Sequence, residues 1–275
     1  MPELPEVETV VSGLRSRLEG RRVRDLVFLS AHLERKQPAS ALNPVIYRGK
    51  TVQKIWRRGK MIIFSFSGGC GLLIHLKMTG QLYLCPPEQP LDKHTHARMT
   101  FYGLGSELRF RDVRKFGFYN CLRLPEIMSR VEAELGPEPL ELDFPEFQHL
   151  LQKHGGKKIK GWLLDQKIIA GIGNIYSDEI LFRSGIRPDR PAGRLSLVET
   201  RKLYRAMKSV LNKAIELRGS SISDYVDSAG EKGQFQQKHL VYDREGQPCR
   251  RCRQAIIERK KIAGRSSFFC PYCQK

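Results

Sequence analysis

The sequence predicts a multidomain α+β protein: a β domain opened by an N-terminal helix, a helical domain, and a C-terminal four-cysteine zinc ribbon. Three observations predict this. Eight short apolar runs separated by turn signals fill the first half of the chain, as in a β-sandwich or barrel-like domain. Helical periodicity replaces them in the second half. Two C-x2-C pairs, Cys249/Cys252 and Cys270/Cys273, close the chain with seventeen residues between them.

The first helix begins at MPELPEVETVV. Pro5 suits a first helical turn, where its missing N–H costs nothing. Glu6 and Glu8 suit the positive end of the helix dipole, and Val7, Val10, Val11, Leu14 and Leu18 recur at helical spacing. Pro2 and Glu3 precede the helix and are not explained by it. The strand-like runs are VRDLVFL, TVQKIW, MIIFSFS, GLLIHLKM, QLYLC, ARMTFYG, ELRFRD and FGFYNCLRL, divided by turns such as SGG, KMTG and YGLGS. Leu135-Gly136-Pro137-Glu138-Pro139 reads as a linker. Helical patterns follow in FPEFQHLLQKH, IKGWLLDQKI, NIYSDEILFRSG and LVETRKLYRAMKSVLNKAIELRG, the last placing Leu203, Met207, Val210, Leu211, Ala214 and Leu217 on one side. Residues 219–238 are polar, rich in Gly and Ser, and weakly periodic, and a loop of that length is usually functional or mobile. The expected domains are 1–134, 135–238 with the loop 219–238, and 239–275.

Among 275 residues, 48 Lys+Arg stand against 29 Asp+Glu, a formal charge of +19 that points to nucleic acid as partner. No apolar run approaches the ~20 residues of a membrane span. The acidic N-terminus is unlike a signal peptide, so a cytoplasmic, membrane-free location is expected. Cys70, Cys85 and Cys121 stand alone and read as small buried side chains.

Each C-x2-C pair can turn two sulfurs toward one ion, so Cys249, Cys252, Cys270 and Cys273 predict one zinc ion. Four thiolates leave no open coordination position, which makes the zinc structural; no organic cofactor is expected. Residues 249–275 carry eight Lys+Arg and one Glu. The spacer reads as two strands about a turn at Ala263-Gly264-Arg265, with Arg265 placed against a phosphate. In Gly171-Ile172-Gly173-Asn174 the glycines permit positive φ, and a helix beginning near Asn174 would offer N–H groups to a phosphate.

PELPEVETV, Arg58-Gly59-Lys60, HLKMTGQL (75–82), DVRKFG (112–117), GIGNIYSDEILF (171–182) and the cysteine ribbon, in this order, make the chain similar to the bacterial formamidopyrimidine-DNA glycosylases over essentially its whole length. The endonuclease VIII enzymes share the architecture but usually differ at PELPEVET and GNIY. A preference for oxidised pyrimidines, or a non-catalytic zinc-ribbon DNA-binding protein, are the alternatives. The resemblance implies a β-sandwich with the first helix, a helix–two-turn–helix domain and the zinc ribbon, with damaged duplex DNA in the cleft between. It implies a monomer that excises oxidised purines such as 8-oxoguanine and formamidopyrimidines, then cleaves the abasic strand.

The resemblance also implies roles. Pro2, freed of Met1, would be the amine nucleophile and Glu3 the general acid, while Glu6 suits either the site or the helix dipole. Lys60 would clamp a phosphate and donate a proton in β-elimination, and Arg265 would serve δ-elimination. Met78, Arg114 and Phe116 would fill the void left by an extruded base, with Arg114 also pairing the orphan base. His75, His94, Lys160, Asn174 and Tyr242 would contact the DNA backbone or lie near it. Ser220, Ser221 and Tyr225, in the lesion-capping loop, would read the base. His94-x-His96 has metal-like spacing but no evident third ligand. Two departures stand out: the family's DPRRFG reads DVRKFG, where Lys115 loses the fork of arginine, and Val-Tyr-Gly reads Val-Tyr242-Asp243.

Overall fold

The computed structural model describes residues 1–222 and 225–275. The backbone divides into two compact units, Met1–Ala133 with Leu217–Gln234, and Glu134–Glu216 with Phe235–Lys275.

In the first unit, α1 (Leu4–Leu18) precedes eight strands: β1 (Val23–Phe28), β2 (Val52–Arg58), β3 (Met61–Phe66), β4 (Cys70–His75), β5 (Gly80–Cys85), β6 (Thr95–Phe101), β7 (Glu107–Asp112) and β8 (Phe118–Arg123). Each expected run forms a strand. They build two four-stranded antiparallel sheets, ordered β1-β6-β7-β5 and β2-β3-β4-β8. One core holds both sheets together: Val7, Val10, Val11, Leu14 and Leu18 of α1 share it with Ile55, Phe64, Leu72, Leu82, Met99, Phe110 and Tyr119. Cys70, Cys85 and Cys121 are buried, as their isolation predicts.

Two helices go beyond the sequence expectation. A single turn, α2 (Ala31–Arg35), buries only Leu33. Helix α3 (Leu124–Glu134) buries Ile127 and Val131, a one-turn spacing too short to stand out as a periodicity. The linker expected at 135–139 is not a free tether. Gly136 N–H donates to Gln166 O at 2.8 Å, Ala170 N–H donates to Pro137 O at 3.0 Å, and a Cβ at Gly136 would lie 2.6 Å from Lys167 O. Two backbones in contact leave room there only for glycine.

The second unit contains α4 (Phe144–Lys153), α5 (Ile159–Leu164), α6 (Asn174–Ser184) and α7 (Leu197–Glu216), then the antiparallel ribbon β9 (Glu258–Ile262) and β10 (Arg265–Phe269). Asp143 caps α4, accepting from Glu146 N–H at 2.8 Å, with Phe144 and Pro145 in the first turn. The ribbon is not an isolated module: Phe268, Ile257, Cys249 and Cys270 share a small core with Phe182 of α6 and Val241. Residues 217–234, grouped in the sequence reading with the helical domain, lie with the first unit because Tyr225 enters its core. Two residues of the capping loop, 223 and 224, lie outside the described residues. No described helix is long and apolar enough to cross a membrane.

Candidate active site and nucleic-acid interface

In the first unit, Glu3 is the N-cap of α1 and Leu4 and Pro5 open its first turn. Pro2 is buried and Met1 is exposed. Glu3 and Glu6 are buried at 3% and 1% exposure, so two carboxyl groups share one turn away from bulk water. The Glu6 carboxylate accepts the N–H of Glu3 at 2.7 Å through one oxygen and the N–H of Ser220 at 2.7 Å through the other. Gly219 makes this approach possible: its φ is +78°, and a Cβ there would lie 2.6 Å from Glu6 Oε1. Glu6 therefore joins the helix start to the 217–234 segment, which explains its burial better than a dipole contact alone.

Lys60 follows Gly59 (φ +56°) in the turn between β2 and β3 and is buried. Arg57 holds that turn to α1, pairing with Glu8 at 2.9 Å and donating to Gly59 O at 3.1 Å. Met61 pairs with His75 across β3 and β4, which brings His75 beside Lys60. Burial, with Lys77 and Lys60 nearby, lowers the His75 pKa to about 3. Its Nδ1 accepts the Lys77 N–H at 2.9 Å, so the neutral ring carries its proton on Nε2.

Met78, Arg114 and Phe116 come from two loops that Asp112 ties together. Thr79 Oγ1 donates to Asp112 Oδ1 at 2.5 Å and accepts the Arg114 N–H at 3.0 Å, while Gly117 N–H donates to Asp112 Oδ2 at 2.7 Å. The Arg114 guanidinium lies 4.7 Å from the Phe116 ring centroid and 3.2 Å from Met78 Sδ. Met78 and Phe116 are 42% and 49% exposed. Large apolar side chains held at a surface beside a guanidinium form a wedge suited to unstacked bases. Lys115, the departure from arginine, sits at φ +57° in the turn between them.

His94 is half-buried, its N–H donating to Asp92 Oδ1 at 3.0 Å. His96 is committed elsewhere, bonded to Ser30 Oγ at 3.0 Å and Asp112 O at 2.9 Å. Tyr225, expected to read a base, is 6% exposed, packs in the core and donates to Glu6 O at 3.2 Å. Ser221 turns inward as well, donating to Tyr225 O at 2.8 Å and accepting from Gly233 N–H at 2.9 Å.

In the second unit, Gly171 (φ +85°) and the N-cap Gly173 bring the chain into α6. Gln166 fixes this turn, accepting from Gly171 N–H at 2.9 Å and donating to Ile172 O at 2.8 Å. Asn174 is half-buried, and its Oδ1 has no hydrogen-bond partner among the described residues. Lys160, expected to contact the DNA backbone or lie near it, stands beside Asn174. It is fully buried, pairs with Asp178 at 2.6 Å and donates to Asn174 O at 3.1 Å, so it has no surface for a phosphate. Its place is behind the glycine turn, supporting it. Burial pushes the Asp178 carboxyl up to about 7 against the opposing pull of Lys160.

Asp178 also accepts the N–H of Phe268 in β10 at 3.1 Å. The adjacent Glu179 accepts three consecutive backbone N–H groups, those of Leu240, Val241 and Tyr242, at 2.9–3.0 Å, and burial raises its pKa. Tyr242 stacks edge-on against Phe268 at 5.3 Å. Asp243 takes the positive φ (+57°) for which glycine is the usual residue, a conformation aspartate tolerates, so the turn survives the departure. Sequence reasoning missed Gln166, Asp178 and Glu179, because nothing in their spacing says which distant backbone they serve.

The four ribbon sulfurs lie within 4.8 Å of one another, with Cys249–Cys273 and Cys252–Cys270 at 3.8 Å. A tetrahedral zinc with bonds of about 2.3 Å separates its sulfurs by about 3.8 Å, so the thiolate set fits the ion. Arg251 and Cys273 N–H groups point to the Cys249 and Cys270 sulfurs at 3.4 Å, steadying thiolate charge. Ala263 (φ +50°) and Gly264 (φ +76°) form the two-residue turn that leaves Arg265 exposed at the start of β10.

Comparison with known proteins agrees with this geometry. Residues 1–119 match the formamidopyrimidine-DNA glycosylase N-terminal domain, residues 135–226 its H2TH domain, and residues 246–275 the zinc finger found in FPG and IleRS. The chain is 43% identical over 278 residues to formamidopyrimidine-DNA glycosylase of Carboxydothermus hydrogenoformans and 45% identical over 275 residues to that of Solibacter usitatus, covering 100% of both chains in each case. A Lactococcus lactis FPG mutant bound to Fapy-dG-containing DNA superposes with a TM-score of 0.87 at 36% identity, covering 100% of both chains. MutM in complex with DNA containing carbocyclic 8-oxo-G gives 0.86, again at 36% identity and full coverage of both. From the buried acids of its first helical turn to its four-cysteine ribbon, the chain belongs to the formamidopyrimidine-DNA glycosylase family.

Proposed function

We propose that the protein is a DNA glycosylase that removes oxidised purines from duplex DNA and then cleaves the abasic strand as a lyase. The observation that carries this reading is the approach to α1, where Pro2 and the N-cap Glu3 lie buried side by side immediately before the helix.

Once Met1 is removed, Pro2 is a secondary amine with an ordinary pKa of about 7.7–8.0, partly neutral near pH 7. Its nitrogen attacks the sugar C1′ and the glycosidic bond breaks, the electron pair leaving with the base, which takes up a proton. Glu3 protonates the ring oxygen and the sugar opens to an iminium. The iminium acidifies C2′–H; loss of that proton expels the 3′ phosphate, and a second elimination releases the 5′ phosphate. Lys60 is the phosphate clamp and proton donor of the first elimination, and Arg265 serves the second. Arg114, Met78 and Phe116 occupy the gap left by the extruded base. Asn174 and the α6 N-terminus hold a phosphate, and His75, neutral, donates through Nε2.

Cys249, Cys252, Cys270 and Cys273 would hold a structural zinc ion, whose chemistry is to cross-link the ribbon. No side chain in the scheme calls for an organic cofactor.

Borohydride treatment during reaction with an 8-oxoguanine duplex is expected to trap a covalent protein–DNA complex. Intact mass must show that Met1 is absent. Trapping by protein whose N-terminus is chemically blocked overturns the amine mechanism. Faster excision of thymine glycol than of 8-oxoguanine overturns the purine assignment.

A further inference from the structure

The 217–234 segment leaves the end of α7 and returns within the first unit, and Glu6 accounts for two of its attachments, to Ser220 and Tyr225. Its base is closed by Gln234 N–H donating to Leu217 O at 2.8 Å. Beyond that, Arg218 and Asp227 form an ion pair across the segment. Asp227 is 3% exposed, and Arg218 is held at φ +59°, an uncommon conformation for a long side chain. The second Asp227 oxygen accepts the N–H groups of Ala229 at 2.8 Å and Glu231 at 3.0 Å. Asp227 is thus fully committed to the segment itself.

The next residue joins this turn to the sandwich. Leu84 N–H of β5 donates to Ser228 O at 2.9 Å. Ser228 presses on Gly13 in the middle of α1, where a Cβ would collide with Ser228 Oγ. Glycine inside a helix costs about 1 kcal/mol relative to alanine, so an interior glycine at this contact answers a steric demand. A cavity of about 800 Å³ flanks the same residues, lined in part by Arg17, Cys85, Leu104 and Ser106. Close packing therefore does not hold 227–229 on that side, and the polar contacts do.

We infer that Arg218 and Asp227 are positioning residues for base recognition: their ion pair, seated through Ser228 on Gly13, sets where residues 220–222 stand relative to Glu3 and Glu6. The helix that Pro2 and Glu3 lead into is the helix on which the segment is seated, so the ion pair fixes reader and reaction centre in one frame. This rests on the proposed glycosylase function. Strand cleavage at a preformed abasic site needs Pro2 and Glu3 but no reading of a base, so it does not depend on the ion pair.

Single-turnover rates are measured for Asp227→Asn and Arg218→Ala on two duplexes, one containing 8-oxoguanine and one containing a preformed abasic site. In Asp227→Asn the amide oxygen can still accept the two backbone N–H groups, so folding is retained while the ion pair is lost. Excision of 8-oxoguanine is expected to fall about ten- to a hundredfold, with abasic-site cleavage and borohydride trapping on that duplex changed less than about twofold. Arg218→Lys should restore part of the excision rate. Gly13→Ala, which displaces Ser228 without touching the ion pair, should give the same selective loss. Unchanged excision overturns the inference, as does an equal fall on both duplexes, which would make the pair a support of the whole unit. If the unaltered protein acts on neither duplex, the glycosylase reading itself fails.

Discussion

Two helices of this protein each bear a pair of buried acids, α1 at its start and α6 in its second turn, and the pairs have opposite fates. In α1, Glu3 and Glu6 stand beside the chain terminus, and Glu6 is met by a Gly- and Ser-rich segment from elsewhere in the sequence. In α6, Asp178 and Glu179 are enclosed by Lys160 and by four backbone N–H groups from the ribbon and the residues before it. Burial alone does not mark a carboxyl as reactive. The first pair lies beside the buried Pro2, the proposed nucleophile; the second pair is a joint between the glycine turn and the ribbon.

This contrast can be broken experimentally, most forcefully at the ribbon. Removing zinc with a strong chelator withdraws on the order of 10 kcal/mol of binding energy from a structural site. It should disorder residues 246–275 and expose Asp178, while the first unit keeps its fold; hydrogen exchange resolved by residue measures both. Glu3→Gln should lower base excision by about 10²–10⁴-fold with little change in melting temperature. Asp178→Asn should do the reverse, costing about 1–3 kcal/mol because one amide oxygen cannot accept from both Lys160 and the Phe268 N–H, and calorimetry reads it. Gly219→Ala, with its Cβ driven into Glu6, should cost about 1–3 kcal/mol and slow excision as well.

The smallest effect is with pH. The folded-state pKa of Asp178, about 7, lies above its unfolded value of about 3.9. The folded chain then binds more protons between those values, so the Asp178 contribution is fully present below about pH 4 and is lost as pH rises toward 7. The stability of the unaltered protein minus that of Lys160→Met/Asp178→Leu should therefore decline from pH 4 to 7. A flat difference would show that the joint does not titrate.

Much of the fold is legible in the sequence because it rests on local pattern. All eight strand runs carry their own apolar residues and turn signals, and the long α7 carries an unbroken apolar face. Helix α3 escapes such a reading because two buried residues make no periodicity. The linker is misleading because Gly136 is needed for a contact with the distant Lys167, and composition cannot separate that from flexibility. At the site, the cysteines and the Met78–Arg114–Phe116 wedge can be named in advance. The buried partners of Lys160 and Tyr225 cannot be named in advance, since nothing near either residue in the sequence points to Asp178 or to the Glu6 carbonyl.

The sequence by itself determined the order of domains, the four cysteines of the zinc ribbon and the acids of the first helical turn, because each is a matter of residue type at short spacing. Tertiary structure decided which polar groups are used up. Glu6 meets Ser220, Lys160 meets Asp178, and Arg218 and Asp227 tie a segment seated on Gly13. Such pairings depend on distances that only folding sets, and a buried charge takes its role from whatever partner the fold brings to it.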